Sequence, residues 1–135
     1  PGNHWNDPHD AALRVISKGL LKLGLLKGKL ATVIKSGAYR KYFMHRTGHW
    51  LGMDVHDVGD YKVADHWRLL EPGMVLTVEP GIYVPQAGRI AKKWRNIGIR
   101  IEDDVLVTAK GHDVLTADLP TDADELEALV GSGFT

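Results

Sequence analysis

The stretch Glu71-Pro72-Gly73-Met74-Val75-Leu76-Thr77-Val78-Glu79-Pro80-Gly81-Ile82-Tyr83 alternates with period two between two Pro-Gly turns. Met74, Leu76 and Val78 point one way and Val75, Thr77 and Glu79 the other, as on a β-strand. Glu79 ends the run, and Ile82-Tyr83-Val84 resumes it beyond the turn. Downstream, Ile99-Arg100-Ile101-Glu102 alternates equally cleanly, which puts Arg100 and Glu102 on one face. Val105-Leu106-Val107-Thr108 reads as a further strand, and Lys110-Gly111-His112-Asp113 as the turn after it.

Upstream the period is helical. Asp7 reads as an N-cap with Pro8 at the first helical position, and Ala12, Val15, Ile16, Leu20 and Leu23 follow as an apolar stripe. Gly24 and Gly28 bracket its end. A second short helix is expected from Lys29 to Ser36, apolar at Leu30, Val33 and Ile34 and closed by Gly37. Thr121 is the expected cap of a terminal helix from Ala123 to Val130, with Gly131 to Thr135 frayed and Pro85 to Asn96 a surface loop. Helices first, strands next and a last helix make an α+β domain.

At 135 residues, 44% of them hydrophobic, the chain fits one domain with a real core. Its 17 basic and 17 acidic residues balance, so nothing points to nucleic acid. With no Cys, disulfides and thiolate metal sites are excluded; a reducing compartment fits, and a cytoplasmic location is expected. No apolar run approaches the ~20 residues of a membrane span, so no membrane role is expected, and no signal peptide is recognised. The opening Pro1-Gly2 reads as the middle of a longer sequence, so a processed product or fragment is expected.

Three histidines fall within twelve residues: His45, His49 and His56. Gly48 and Gly52 argue against one continuous helix or strand, so a turn-rich segment entering a short strand near Val55 is expected. Any single His is more often an ordinary surface or hydrogen-bonded residue; three beside Gly shift the balance toward a site. Glu79 ends an apolar strand and Glu102 interrupts one. Taken alone, each also fits a solvated face or an ion pair such as Glu102 with Arg100. Glu71 sits at a turn, where a surface role is expected. Imidazole and carboxylate without thiolate suit Mn, Co, Fe or Zn, and a carboxylate-rich set leans toward Mn. Phosphate-binding and dinucleotide fingerprints are absent, as is a helical H-E-x-x-H.

Three motifs together carry a resemblance. They are His45-x-x-Gly48-His49-x-Leu51-Gly52-x-x-Val55-His56-Asp57, Glu71-Pro72-Gly73-Met74-Val75-x-Thr77-x-Glu79-Pro80-Gly81-Ile82-Tyr83, and Gly98-Ile99-Arg100-Ile101-Glu102-Asp103-Asp104. In this order and spacing they closely resemble the Xaa-Pro aminopeptidases (aminopeptidase P) and their prolidase relatives. Weaker resemblance runs through Gly19 to Leu26 and Ser36 to Tyr39, covering most of the chain. It implies the pita-bread fold, with a curved antiparallel sheet, flanking helices and two divalent metal ions, usually Mn. It also implies hydrolysis of the bond before a penultimate proline by water activated between the metals.

Carried over, His49, Glu79 and Glu102 match metal ligands, and Glu79 also matches a general base. His45 and His56 match substrate-contacting histidines, and Arg100 matches a residue that orients a carboxylate. The family's two aspartate ligands have no match here. The resemblance therefore implies the C-terminal half of a catalytic domain, residues 1–135, inactive alone and pairing with its missing half or with another copy. The stretch Arg46 to Asp54 favours aminopeptidase P over prolidase or methionine aminopeptidase. A non-catalytic peptide-binding module is the other class of reading, and retention of His49, Glu79 and Glu102 argues against it.

Overall fold

The computed structural model describes residues 1–86, 88 and 90–134. Helix α1, Asp7–Lys22, begins one residue earlier than expected: Asn6 rather than Asp7 is the N-cap, and the Asp7 carboxylate instead accepts the His4 N–H at 2.7 Å. Its buried stripe is Leu13, Ile16, Ser17 and Leu20. Val15, expected on that stripe, is 71% exposed, and Leu23 is also exposed. The stripe is rotated because α2 and Val84 meet α1 on the Leu13–Leu20 side.

Helix α2, Leu30–Ser36, starts one residue later than expected, with Lys29 as its extended N-cap, and ends as expected at Gly37, whose φ of 71° closes the helix in the left-handed region. A 3-10 turn follows at Ala38–Lys41. Together these elements bury Leu20, Val33, Tyr39, Tyr42 and Phe43 against Val84 and Ile90 in one core. A second core gathers Trp5, Trp50, Leu70, Leu76 and Val107. Burial at Ile90 departs from the expected surface loop at 85–96, which also contains a 3-10 turn at Lys92–Trp94; positions 87 and 89 lie outside the described residues.

Among the described residues, seven short strands pair antiparallel throughout. A hairpin that sequence patterning did not show joins β1, Lys62–Val63, to β2, His66–Trp67, through Ala64 and Asp65 at positive φ. Strands β3, Val75–Val78, and β4, Gly81–Val84, are one run bent at Glu79-Pro80. Strands β5, Ile97–Arg100, and β6, Asp103–Val107, are a second run bent at Ile101-Glu102. β3 pairs with β6, β4 pairs with β5, and β7, His112–Val114, adds to β6. The expected single strand through Glu102 is therefore interrupted after Arg100, and the turn before β7 comes earlier than Lys110 to Asp113 implied.

The bend has a simple cause. Pro80 has no N–H to give to the ladder, though its carbonyl still accepts the Ile101 N–H at 3.3 Å. The register does not slip across it. Counting inward from Val78↔Asp103 on one side and Gly81↔Arg100 on the other puts Glu79 opposite Glu102.

On its other edge β3 is joined by the segment from Thr47 to Leu51. Glu79 N–H donates to the Thr47 carbonyl at 2.7 Å, Thr77 N–H to the His49 carbonyl at 3.0 Å, and Leu51 N–H to the Val75 carbonyl at 3.1 Å. The strand-like pairing thus falls at 47–51 rather than near Val55, where the chain only bends. Gly48 is needed there, since a Cβ would lie 2.2 Å from the Thr77 carbonyl oxygen.

Beyond β7, the terminal helix α3 runs Ala123–Leu129, with the Asp122 carboxylate capping Asp124 and Glu125 in place of the expected Thr121. The expected frayed end forms a short 3-10 turn at Ser132–Phe134, and Thr135 lies outside the described residues. Over β3, β6 and β7 lies a cleft of about 560 Å³, open to solvent and walled largely by Leu70, Val78, Val105, Val107 and Val114. No described helix is long and apolar enough to cross a membrane.

Candidate metal centre

Three neighbouring strand segments each deliver one side chain to the same place. His49 comes from the 47–51 segment, Glu79 from the end of β3, and Glu102 from the break between β5 and β6. One ligand atom of each lies within 4.8 Å of the others. His49 and Glu79 are half-buried, and Glu102 is exposed.

The orientation of His49 is fixed by the backbone. Its Nδ1 lies 2.9 Å from the Trp50 carbonyl, which only accepts, so Nδ1 donates there and Nε2 is the nitrogen left to face the site. Nε2 lies 3.4 Å from Glu79 Oε1. Imidazole locked by a carbonyl on one nitrogen and open on the other is the arrangement of a metal-binding His. An imidazole nitrogen beside one carboxylate, with a second carboxylate opposite in register, forms a donor set suited to a divalent cation with N and O ligands.

Glu79 is held on both oxygens. Buried Thr77, 2% exposed, takes the His49 N–H on its hydroxyl at 3.1 Å and donates that hydroxyl to Glu79 Oε1 at 3.1 Å. Arg100 Nη1 sits 3.1 Å from Oε2. Arg100 therefore serves Glu79 more directly than Glu102. Its Nε donates to the Tyr83 hydroxyl at 3.0 Å, and this bond foremost holds the guanidinium pKa above its ordinary value, with smaller help from Glu79 and Glu102.

Tyr83 in turn donates to His45 Nε2 at 2.9 Å, because His45 Nδ1 gives its proton to the Arg46 carbonyl. Both ring nitrogens of His45 are thus engaged within the protein. Gly81 makes room for this junction: a Cβ there would lie 2.6 Å from the Tyr83 hydroxyl. His56 is exposed, and its ring packs against His49 with centroids 4.2 Å apart. All six residues singled out from the sequence (His45, His49, His56, Glu79, Arg100 and Glu102) therefore converge.

Sequence patterning did not single out Thr77 or Tyr83. Each left a weak signal: a hydroxyl within an apolar alternating run. His9 was missed as well. Its Nδ1 lies 2.7 Å from Thr47 Oγ1, tying α1 to the ligand segment. Burial lowers its pKa from 6.5, with Arg46 the next cause, His45 and Arg40 adding to it and Asp10 opposing.

Known proteins place this geometry in context. The chain is 46% identical over 130 residues to the Xaa-Pro aminopeptidase of Haemophilus influenzae, covering 96% of this chain and 30% of that protein. It is 47% identical to the Escherichia coli Xaa-Pro aminopeptidase, covering 96% of this chain and 29% of that protein. The chain thus spans about 30% of the length of the curated relatives it matches. Among solved structures, Pseudomonas aeruginosa aminopeptidase PepP superposes with a TM-score of 0.91 at 57% identity, over 95% of this chain and 29% of that one. Aminopeptidase P from E. coli with the inhibitor Pro-Leu gives 0.88 at 47% identity, again over 95% of this chain and 29% of that one. A zinc-substituted form of that enzyme with product also matches. The fold is accordingly that of pita-bread aminopeptidase P. The model of metallopeptidase family M24 matches residues 1–109, which include every residue of the converging site, and the chain belongs to that family.

Proposed function

We propose that residues 1–135 are the C-terminal part of the catalytic domain of a longer Xaa-Pro aminopeptidase, which removes the N-terminal residue from peptides with proline second. The observation that carries this reading is the convergence of His49, Glu79 and Glu102 within 4.8 Å, with the free His49 nitrogen aimed at Glu79. Similarity to Xaa-Pro aminopeptidases over 96% of the chain supports the substrate class. Two divalent ions, Mn by preference with Co, Fe or Zn as substitutes, would be held by these three residues and by two aspartates from outside this chain.

When bound, the ions supply Lewis acidity toward the scissile carbonyl and lower the pKa of the attacking water. This chain's residues do the rest. Glu79 receives the proton of the attacking water on a carboxylate oxygen and returns it to the departing proline nitrogen. Arg100 and Thr77 hold that carboxylate in place. His56, exposed beside His49, faces the substrate carbonyl, while His45 acts through Tyr83 to orient Arg100. The apolar cleft over β3, β6 and β7 is covered by the remainder of the catalytic domain or by a second copy. A cytoplasmic location belongs to the same reading, supported by the cysteine-free sequence.

The test is an assay of the full-length protein with Mn and an Xaa-Pro-Xaa tripeptide. Release of the first residue is expected, with no turnover by the 135-residue chain alone. Cleavage confined to Xaa-Pro dipeptides would assign a prolidase instead. Peptide binding without cleavage would assign a binding module.

A further inference from the structure

We propose that Asp57 is the positioning residue that clamps the loop from Leu51 to Val58 and so holds His56 against His49. Only the reaction step it serves rests on the metallopeptidase reading above; the clamp itself is structural. Asp57 grips the loop from three directions. Its N–H donates to the Trp50 carbonyl at 3.1 Å, the same oxygen that receives the His49 Nδ1–H. Its Oδ2 accepts the Met53 N–H at 3.2 Å, and its Oδ1 accepts the Val58 N–H at 2.8 Å. Gly52 is shaped to admit this carboxylate, since a Cβ there would lie 1.8 Å from Oδ2.

Beyond Leu51, which is half-buried and gives its N–H to the Val75 carbonyl, and a Gly52 N–H bond to the Asp54 carbonyl at 3.2 Å, burial adds little: Met53 is 102% exposed, and Val55 and Val58 are also exposed. Ordering each residue of such a segment costs about 1–2 kcal/mol in backbone entropy. Hydrogen bonds from backbone N–H groups to an ionised carboxylate are among the stronger ones available to offset it. The carboxylate is required for both of its bonds. Asn at this position offers one acceptor oxygen, and its amide –NH2 faces a backbone N–H where the second oxygen was. The shared Trp50 carbonyl makes the clamp specific to the site: it registers the His56 loop on the same atom that orients the imidazole of His49.

The experiment uses the full-length protein loaded with Mn and the variants Asp57→Asn, Gly52→Ala, His56→Ala and Asp57→Asn/His56→Ala. Hydrogen exchange at the Met53 and Val58 amides reads the clamp without any reaction. Protection should fall in Asp57→Asn and in Gly52→Ala, which keeps the carboxylate but expels it from its seat. For Xaa-Pro tripeptide hydrolysis, Asp57→Asn should lower kcat by about 10- to 100-fold, the cost of misplacing a reacting group. Bound metal should stay unchanged, because Thr77 still holds the His49 backbone. In the His56→Ala background Asp57→Asn should cost nothing more, as expected of residues acting as one unit. Wild-type exchange at both amides, additive losses, or a loss of kcat explained by lost metal would overturn the proposal. If the wild-type protein itself fails to cleave the peptide, the functional reading falls and the exchange result alone decides the clamp.

Discussion

Glu79 faces Glu102 in the two-residue break between the antiparallel strand pairs β3–β6 and β4–β5, which share one register. Like charges directly opposite on a sheet are destabilising. Removing one of them should therefore help the fold and harm metal binding. In metal-free protein, Glu102→Gln should raise the thermal midpoint by the equivalent of that repulsion. The same variant should weaken Mn binding in isothermal titration. A lower midpoint in EDTA would show that the pair is not repulsive.

Thr77→Val keeps the shape of a buried side chain whose hydroxyl has two partners in the site but removes its chemistry. The change leaves the His49 N–H without its 3.1 Å acceptor and Glu79 Oε1 without its donor. An unsatisfied buried polar group costs about 1–3 kcal/mol. Urea unfolding should report a loss of that size, with the slope of the transition unchanged. No change in midpoint would mean that Thr77 Oγ1 is dispensable.

Arg100 joins Glu79 to Tyr83 with two different nitrogens, at 3.1 and 3.0 Å. Lys has a single ammonium and cannot span both. Arg100→Lys and Arg100→Ala should therefore lower kcat/KM for an Xaa-Pro tripeptide by similar factors, about 10- to 100-fold, as for other residues that support a metal ligand. Near-complete rescue by Lys would show that only the charge matters.

His9 gives the stability a pH dependence with a definite sign. Its native pKa lies below 6.5, chiefly through burial, so the unfolded chain binds its proton more readily than the folded one. Stability from neutral His9 is present above that value and declines as pH falls from about 6.5 toward the lower native pKa. His9→Gln, which keeps a polar contact for Thr47, should flatten the stability–pH curve in that window. Equal slopes in both proteins would contradict the assignment.

The strand faces around Glu79 were legible in the sequence because alternation is a local property: Leu76 is buried, and Thr77 and Glu79 share the side that builds the site. The three candidate ligands were legible in the sequence because each lies in a motif framed by Gly or Pro. Long-range facts were not. Nothing local distinguishes Glu102 at a strand break from Glu102 inside a strand; the break arises because Pro80, opposite Ile101, lacks an N–H. The pairing of residues 47–51 with β3 was misplaced toward Val55 because an edge partner is chosen by tertiary contact rather than by its own pattern. Val15 and Leu13 are both apolar and two apart in α1, and only the position of α2 decides which is buried. The β1–β2 turn escaped notice because Ala64 at positive φ is outside the usual turn chemistry.

The most direct test counts metal. Full-length protein equilibrated with Mn should carry two ions per chain by elemental analysis. His49→Ala, Glu79→Gln and Glu102→Gln should each lower that number, while Glu71→Gln, at a surface turn, should not. Undiminished metal in the triple variant of His49, Glu79 and Glu102 would show that these three side chains are not the ligands.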